Sequence, residues 1–351
     1  MNKNFFMGIA AMAALTLVSC SSDDLNSVSD NPSKNEAISF DGYLGRSAVS
    51  VNGTRGSVET KDQLKTDGFG VFGNYNSTGG QNFGSNLFDN VKVYSSSTAD
   101  PVKWTYDNTK YWPTQGHIDF LAYAPYVKNT TLNTTLEEKM TSCINFTVVN
   151  KVTDQKDLLY AKATNQTKAE NSGTNKVKFT FNHALAKIGY KVKTSASYEG
   201  TTIKLNKITL AGSATEPTKT AFYKEGTINL STGAWTPSTS EEKQNFEWFN
   251  NTSGTEVTTE AADNDPGNYL FVIPQKFSTP ATDELYVIVE YTIQTGTTAM
   301  KSIVSSKITK DFEQGKAYTI NLSLGLTPID FDVDVVNGWV DDNTIPEIPL
   351  N

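Results

Sequence analysis

Few residues in this sequence have the chemistry that catalysis needs. The chain has two histidines, His117 and His183, and neither lies in a His-Glu-x-x-His metal motif. We find no Gly-x-Ser-x-Gly nucleophile turn and no glycine loop for phosphate. His183 lies between Phe181 and Ala184, so we interpret it as a structural histidine. The sequence therefore predicts a protein that is not an enzyme and needs no cofactor.

An acidic stripe near the carboxyl end is the best candidate for a metal site. Asp330, Asp332 and Asp334 alternate with apolar residues and share one face of a predicted strand. Neighbours on one face are roughly 6.5–7 Å apart, whereas calcium needs oxygens converging at roughly 2.3–2.6 Å. We therefore interpret the stripe as a solvated face and predict no metal.

An aromatic cluster is the best candidate for ligand binding. Trp104, Tyr106, Tyr111 and Trp112 lie close together in the sequence. If exposed, such rings could stack on sugars, which makes Trp104 and Trp112 possible ligand-binding residues. The alternative is packing in a core or hairpin, where aromatic rings are common.

The amino end indicates export. Lys3 precedes an apolar run, residues 5–18, that is too short for a permanent membrane helix. The run ends in Leu17-Val18-Ser19-Cys20, which resembles the lipobox of bacterial lipoproteins. That resemblance implies cleavage before Cys20 and acylation of its thiol; an ordinary secretory signal is the alternative. The next four residues, Ser21-Ser22-Asp23-Asp24, resemble a tag for the outer face of the outer membrane.

The composition of the chain limits the kinds of partner that the protein could bind. The chain has 351 residues, a net charge of -8 and 37% hydrophobic residues. Without a basic stripe, nucleic acid is not an expected partner. The other cysteine, Cys143, lies in an apolar-alternating stretch, and we interpret it as a buried core residue.

Period-two alternation dominates after residue 36 and predicts an all-β protein. We expect a signal peptide at 1–19, a flexible tether at 20–35 and a separate segment at 36–55 that begins with a strand. Two tandem β-sandwiches follow, at 56–176 and 177–351, joined by a polar linker near residues 171–175.

Several stretches, taken in order, resemble the signatures of the fimbrillin-like family, whose members build type V pili. They are Tyr111-Trp112-Pro113 with Ile118-Asp119-Phe120-Leu121-Ala122-Tyr123-Ala124-Pro125, then Phe181-Asn182-His183-Ala184-Leu185-Ala186-Lys187-Ile188, then Tyr269-Leu270-Phe271-Val272-Ile273-Pro274-Gln275, and Gly315-Lys316-Ala317-Tyr318-Thr319-Ile320-Asn321-Leu322 with Trp339. The resemblance implies two transthyretin-like β-sandwich domains and export as a lipoprotein.

The resemblance also implies maturation by an arginine-specific protease, which removes an amino-terminal strand together with its lipid. The chain has only two arginines, Arg46 and Arg55, and both follow the predicted tether. Arg55 looks most like the family's cleavage site, and Arg46 is the alternative. The two arginines could also lie there by chance.

A strand from a neighbouring subunit would then fill the vacated groove. The candidate donor is the segment 329–350, whose apolar residues are Ile329, Phe331, Val333, Val335, Ile345, Ile348 and Leu350. The alternative is that the Phe331 strand belongs to the subunit's own second sandwich. Only the tail 341–351 would then be free, and its two prolines weaken it as a central strand.

The resemblance thus implies a structural pilus subunit, located on the cell outer membrane and in the fimbrium. Its expected partners are other pilus subunits, the outer membrane through the lipid anchor, and the protease. The alternative is a tip adhesin or glycan-binding lipoprotein that recognises a host or glycan receptor and does not polymerise. Stalk, tip and anchor roles all stay open.

Overall fold

The computed structural model describes residues 36–44, 61–95, 97, 102–133, 142–171, 176–216, 218–239, 243–263, 268–278, 283–326 and 330–336. These residues belong to one compact unit that begins at Glu36. Its elements in chain order are β1 (Phe40–Leu44), α1 (Lys61–Asp67), β2 (Phe69–Asn76), β3 (Phe88–Ser95), β4 (Trp104–Thr105), β5 (His117–Ala124), β6 (Cys143–Thr147), a 3-10 turn (Val152–Asp154), β7 (Leu159–Gln166), β8 (Val177–His183), β9 (Ala186–Thr194), β10 (Thr201–Ala211), β11 (Glu225–Asn229), β12 (Trp235–Pro237), β13 (Phe246–Val257), β14 (Ala262–Asp263), β15 (Leu270–Val272), β16 (Leu285–Thr295), β17 (Thr298–Ile308), β18 (Ala317–Leu324) and β19 (Asp330–Val336). The prediction of an all-β chain is confirmed.

The first sheet has seven strands in the order β1-β8-β7-β5-β2-β3-β4. It is covered on both faces, because alternate residues of β5 join different hydrophobic clusters. Phe120 and Ala122 belong to a cluster formed with β1 and β8, and Leu121 and Tyr123 belong to the larger cluster. A strand buried on both faces loses the polar–apolar alternation of a half-exposed strand, and every residue of β5 after His117 is buried.

The larger cluster lies among three further sheets. Their strand orders are β12-β11-β6, β13-β10-β16-β17 and β14-β9-β18-β19, and β15 also pairs with β9. The β16–β17 hairpin turns at Gly296, whose φ of 56° lies in the left-handed region that glycine tolerates. These sheets supply most of the large buried core.

The expected boundary between residues 176 and 177 does not fall between sheets. We expected β8 to open the second sandwich, but it pairs with β1 and β7 in the first sheet. Conversely, β6 pairs with β11, which follows β8 in the chain. Alternation predicts where a strand lies and which face is buried; it does not identify the neighbouring strand. The division into two domains stays a prediction.

Two further observations concern the cysteine and the helices. Cys143 is buried, and burial raises the pKa of its thiol, as expected for a core cysteine. Among the residues given above, no helix is both long and apolar enough to span a bilayer.

A surface ion network links β17 to the loop before β16. Lys219 Nζ lies 2.6 Å from Glu284 Oε2, and Lys307 Nζ lies 2.8 Å from Glu284 Oε1. The hydrogen bonds and charges of the two ammonium groups lower the pKa of Glu284 from 4.5 to about 2. The Glu284 side chain is one-third exposed (33%), so solvent screens part of this interaction.

We expect this network to contribute to acid sensitivity. A carboxylate with a depressed pKa stabilises fully above about pH 4.5 and loses that contribution as the pH falls towards about 2. Glu284→Gln should therefore shrink the fall in urea midpoint between pH 5 and pH 2.5. Glu260→Gln at an exposed site is the matched control. Equal pH dependence in the two variants would contradict the assignment.

Candidate functional site

The segment 36–44 makes backbone hydrogen bonds on both of its edges. On one side β1 pairs in parallel with β8, from Phe40 opposite Val177 to Leu44 opposite Phe181. On the other side, Ile38 N donates to Lys110 O at 2.9 Å and Trp112 N donates to Glu36 O at 3.0 Å. Residues 39–44 are therefore bonded on one edge, to β8, and residues 36–38 are bonded on the other, to the loop at residues 110–112.

The buried face of this segment carries Ile38 and Phe40, exposed by 2% and 1%. The Phe40 ring lies at the centre of an aromatic cluster: its centroid is 5.5 Å from those of Phe88, Tyr106 and Phe120 and 5.8 Å from that of Phe179. Burying these two side chains contributes roughly 3–6 kcal/mol by the usual transfer values. Hydrophobic burial is therefore a substantial part of what holds β1 in place.

Polar contacts fix the position of the segment along the groove. Tyr106 donates its hydroxyl proton to Ile38 O at 2.8 Å and accepts from Lys110 N at 3.2 Å. Val177 N donates to Ser39 O at 2.9 Å. Burial raises the pKa of Tyr106, which keeps its hydroxyl protonated as a donor. Removing β1 would leave these groups unpaired beside exposed aromatic rings.

Asp119, which the sequence analysis did not single out, ties together the loops at one end of the sheet. It is buried on β5, where Oδ2 accepts from Asn76 Nδ2 and Asn82 N, both at 2.9 Å, and Oδ1 accepts from Asn165 N at 2.8 Å. Asn165 has φ 55° and lies where the pairing of β5 and β7 is irregular. The carboxylate thus stabilises a β-bulge. The sequence signal was an acid within an apolar run.

His183 has a structural environment, as interpreted from the sequence. Its Nδ1 lies 2.6 Å from Asp157 Oδ2, and both side chains are buried. Ala184 N donates to Leu158 O at 2.7 Å, so the backbone pairing continues past this pair. The pair links the end of β8 to the segment before β7.

The proposed aromatic ligand site is not supported at Trp112. This ring is 2% exposed and belongs to the same hydrophobic cluster as Phe40, so it cannot stack on a sugar. Trp104 is half-buried, and its ring packs edge-on against Phe69 at 5.1 Å. The core alternative was the better interpretation at Trp112, because the loop that holds this residue pairs with the amino-terminal segment at Ala37. Of the four aromatics, Tyr111 is the most exposed, at 53%.

The carboxyl-terminal strand is paired within its own chain. β19 runs antiparallel to β18, and Phe331, Val333 and Val335 lie opposite Leu322, Ile320 and Tyr318. Asp334 Oδ2 accepts a hydrogen bond from Asn321 Nδ2 at 2.8 Å. Among the described side chains, no cluster of three or more His, Cys, Asp or Glu is arranged to hold a metal.

Several predicted site residues lie outside the described residues. They are Cys20, Arg46, Arg55, Ile329, Ile345, Ile348 and Leu350. Both arginines lie in sequence between β1 and α1, so a cut at either would separate β1 from the rest of the chain.

Comparison with known proteins gives one family match and several solved structures. The model for fimbrillin-like proteins matches residues 54–339. No curated protein matches the sequence. The chain is similar to a candidate cell adhesion protein from Bacteroides uniformis, at 18% identity and a TM-score of 0.49, over 89% of this chain and 100% of that one.

Two further solved structures have fimbrial descriptions. A fimbrial assembly protein from Parabacteroides distasonis is 13% identical, with a TM-score of 0.37, and the match covers 86% of this chain and 99% of that one. A fimbrial anchor protein from Porphyromonas gingivalis is 9% identical, with a TM-score of 0.35, over 87% and 99% of the two chains. Because the family model matches residues 54–339, most of the sequence, the chain belongs to the fimbrillin-like family.

Proposed function

We propose that this protein is a subunit of a cell-surface pilus that assembles by strand exchange at the groove now filled by β1. The observation that carries the proposal is the backbone pairing of the segment 36–44 on both edges, together with the burial of its Ile38 and Phe40 side chains. The segment has the contacts of an integral strand, yet its covalent connection to the rest of the sheet runs only through residues 45–60, which contain Arg46 and Arg55.

Cleavage in that linker would change the competition for the groove. While the chain is intact, β1 is tethered to its site at high effective concentration, so another strand cannot compete. After a cut, β1 becomes a separate peptide, and an incoming strand with alternating apolar residues could replace it. The incoming strand would restore both the buried apolar surface and the backbone pairing.

The donor in this proposal is the chain end of a neighbouring subunit. Because β19 is already paired with β18, the tail after it is the simpler donor. Ile345, Ile348 and Leu350 would then supply the apolar side chains. If β19 itself donates, it must first leave β18. Before cleavage, an acylated Cys20 would hold the subunit at the outer membrane.

Proteolysis and gel analysis test the proposal directly. We expect arginine-specific protease to cut the exported chain and an unboiled gel to show a ladder of oligomers. The double variant Arg46→Lys and Arg55→Lys removes both arginines, so it should stay uncut and monomeric. Each single variant identifies the cleaved site by the mass of the released fragment. A cut chain that remains monomeric at high concentration would reject strand exchange.

A tip or anchor subunit is the second candidate, favoured by the pairing of β19 within its own chain. A subunit that accepts a strand without donating one would end a fibre. In a mixture with a polymerising subunit, it should cap the ladder and shorten it. Glycan binding through Trp112 is not part of this candidate, because that ring is buried.

A further inference from the structure

One of the sheets ends at β17, whose outer edge is long and open. β17 has 11 residues and is the last strand in the order β13-β10-β16-β17. It carries the two most exposed large hydrophobic residues of the described chain, Ile303 at 68% and Met300 at 61%. A long open edge with exposed apolar side chains is a template for pairing with another strand.

The hairpin register shows which backbone groups face outward. Thr295 pairs with Thr298 across a two-residue turn, so these two residues must exchange hydrogen bonds. The register runs without a bulge to Leu285 opposite Ile308, so the even-numbered residues of β17 bond to β16. The odd-numbered residues, 299 to 307, therefore point their N–H and C=O groups away from the sheet. In the described part of the chain nothing pairs with them.

We propose that this edge binds a second copy of the same chain, with the two β17 strands antiparallel and centred on Ile303. This register pairs the largest number of residues whose backbone groups point outward, from residue 299 to residue 307. Ile303 then faces Ile303 of the second copy, and about ten hydrogen bonds form between the strands. The result is one continuous sheet across the two copies, with identical contributions from each.

The charge pattern on the outer face of β17 favours this register. Lys301 lies opposite Ser305 of the second copy, and Lys307 lies opposite Ala299. If the second strand is shifted by two residues in one direction, Lys301 lies opposite Lys307 of the second copy. A larger shift in the other direction places Lys301 opposite Lys301 of the second copy. Like charges directly opposite each other destabilise a sheet. Lys307 is in addition paired with Glu284 at 2.8 Å, which offsets its charge.

The contact between the two β17 strands is expected to be weak and to join two copies side by side. One strand edge is at the small end of interface sizes, so association should need high local concentration, such as neighbouring subunits in an array provide. The inference does not depend on strand exchange, because β17 and β1 lie in different sheets. A failure of one proposal therefore leaves the other intact.

Two substitutions at Ser305 test the register by sedimentation equilibrium. The full chain carries Cys20→Ser throughout, so that no lipid contributes. Ser305→Glu places a carboxylate opposite Lys301 and should tighten the dimer about three- to tenfold. Ser305→Lys places an ammonium there and should weaken it by a similar factor. On net charge alone the order would be reversed, because the chain is already at -8.

Cysteine cross-linking tests the same register independently. Residues opposite each other in a hydrogen-bonded pair have Cα atoms about 5.5 Å apart, within disulfide range. Ile303→Cys should therefore oxidise to a dimer. Lys301→Cys, the matched control, should not, because its two copies lie four residues, roughly 13 Å, apart along the strands. Three outcomes would each overturn the proposal. The unsubstituted chain could stay monomeric to about millimolar concentration. The two Ser305 variants could shift the dimer affinity in the same direction, or the cysteines at 301 and 303 could cross-link equally.

Discussion

Phe40→Ala is expected to lower the free energy of unfolding by about 3–5 kcal/mol. The ring is 1% exposed and contacts four other aromatic rings, so its removal leaves a cavity that rigid neighbours cannot fill. Edge-to-face contacts between aromatic rings contribute beyond the buried area, which places the effect in the upper part of the range for core truncations.

Urea unfolding of the purified chain, followed by tryptophan fluorescence, measures this loss. Asp41→Ala is the matched control, because Asp41 is the next residue of β1 and is only half-buried. We expect its effect to stay within about 0.5 kcal/mol. A loss below about 1 kcal/mol for Phe40→Ala would show that β1 contributes little to the fold. The vacated groove would then be a weak receptor for any strand.

Asp119→Ala should cost a similar amount, about 3–5 kcal/mol, for an electrostatic reason. The buried carboxylate accepts two backbone N–H groups and one side-chain amide, at 2.8–2.9 Å. Hydrogen bonds to a charged acceptor are each worth about 1.5–3 kcal/mol, and alanine removes the shared acceptor of all three donors. The loss stays below their sum because Asn76 Nδ2 also bonds to Asn82 O and water reaches the exposed Asn82 and Asn165. We also expect faster amide exchange at Asn82 and Asn165, whose N–H groups lose their acceptor.

Asp107→Ala is the matched control, because Asp107 is exposed and accepts one hydrogen bond, from the Tyr94 hydroxyl. Its effect on the urea midpoint should be near zero. Should Asp119→Ala fail to fold, Asp119→Asn retains the shape with one acceptor oxygen and provides a measurable intermediate value. Unchanged amide exchange at both positions would contradict the role assigned to Asp119.

The sequence predicted strands best where one face of the sheet meets a core. The alternating residues of β8, β16 and β18 are buried at every second position near their centres, as the pattern requires. β5 does not follow the rule, because both of its faces are covered, and Asp119 is therefore buried where alternation indicates solvent. A single sequence carries no signal for a second covering layer.

The candidate site was predictable only in part. Ile38 and Phe40 alternate with polar residues, and the structure buries both in one hydrophobic cluster. Their neighbours were not predictable, since β8 is more than a hundred residues distant in the chain and Lys110 lies in a loop. The burial of Trp112 follows from the same long-range contact. Its backbone N–H donates to Glu36 O, and its side chain belongs to the same hydrophobic cluster as Ile38 and Phe40. Spacing within the aromatic cluster could not reveal that.

The crossed pairing of β6 and β8 limits how the gene can be divided. A fragment ending at residue 176 would keep β6 without its partner β11, and would lack β8, to which β1 and β7 are bonded. The complementary fragment would begin with a strand whose sheet is absent. Expression of either half alone should therefore give insoluble or unstructured material, whereas co-expressed halves could reassemble. Truncation mapping of binding activities in this protein needs point substitutions or paired fragments instead.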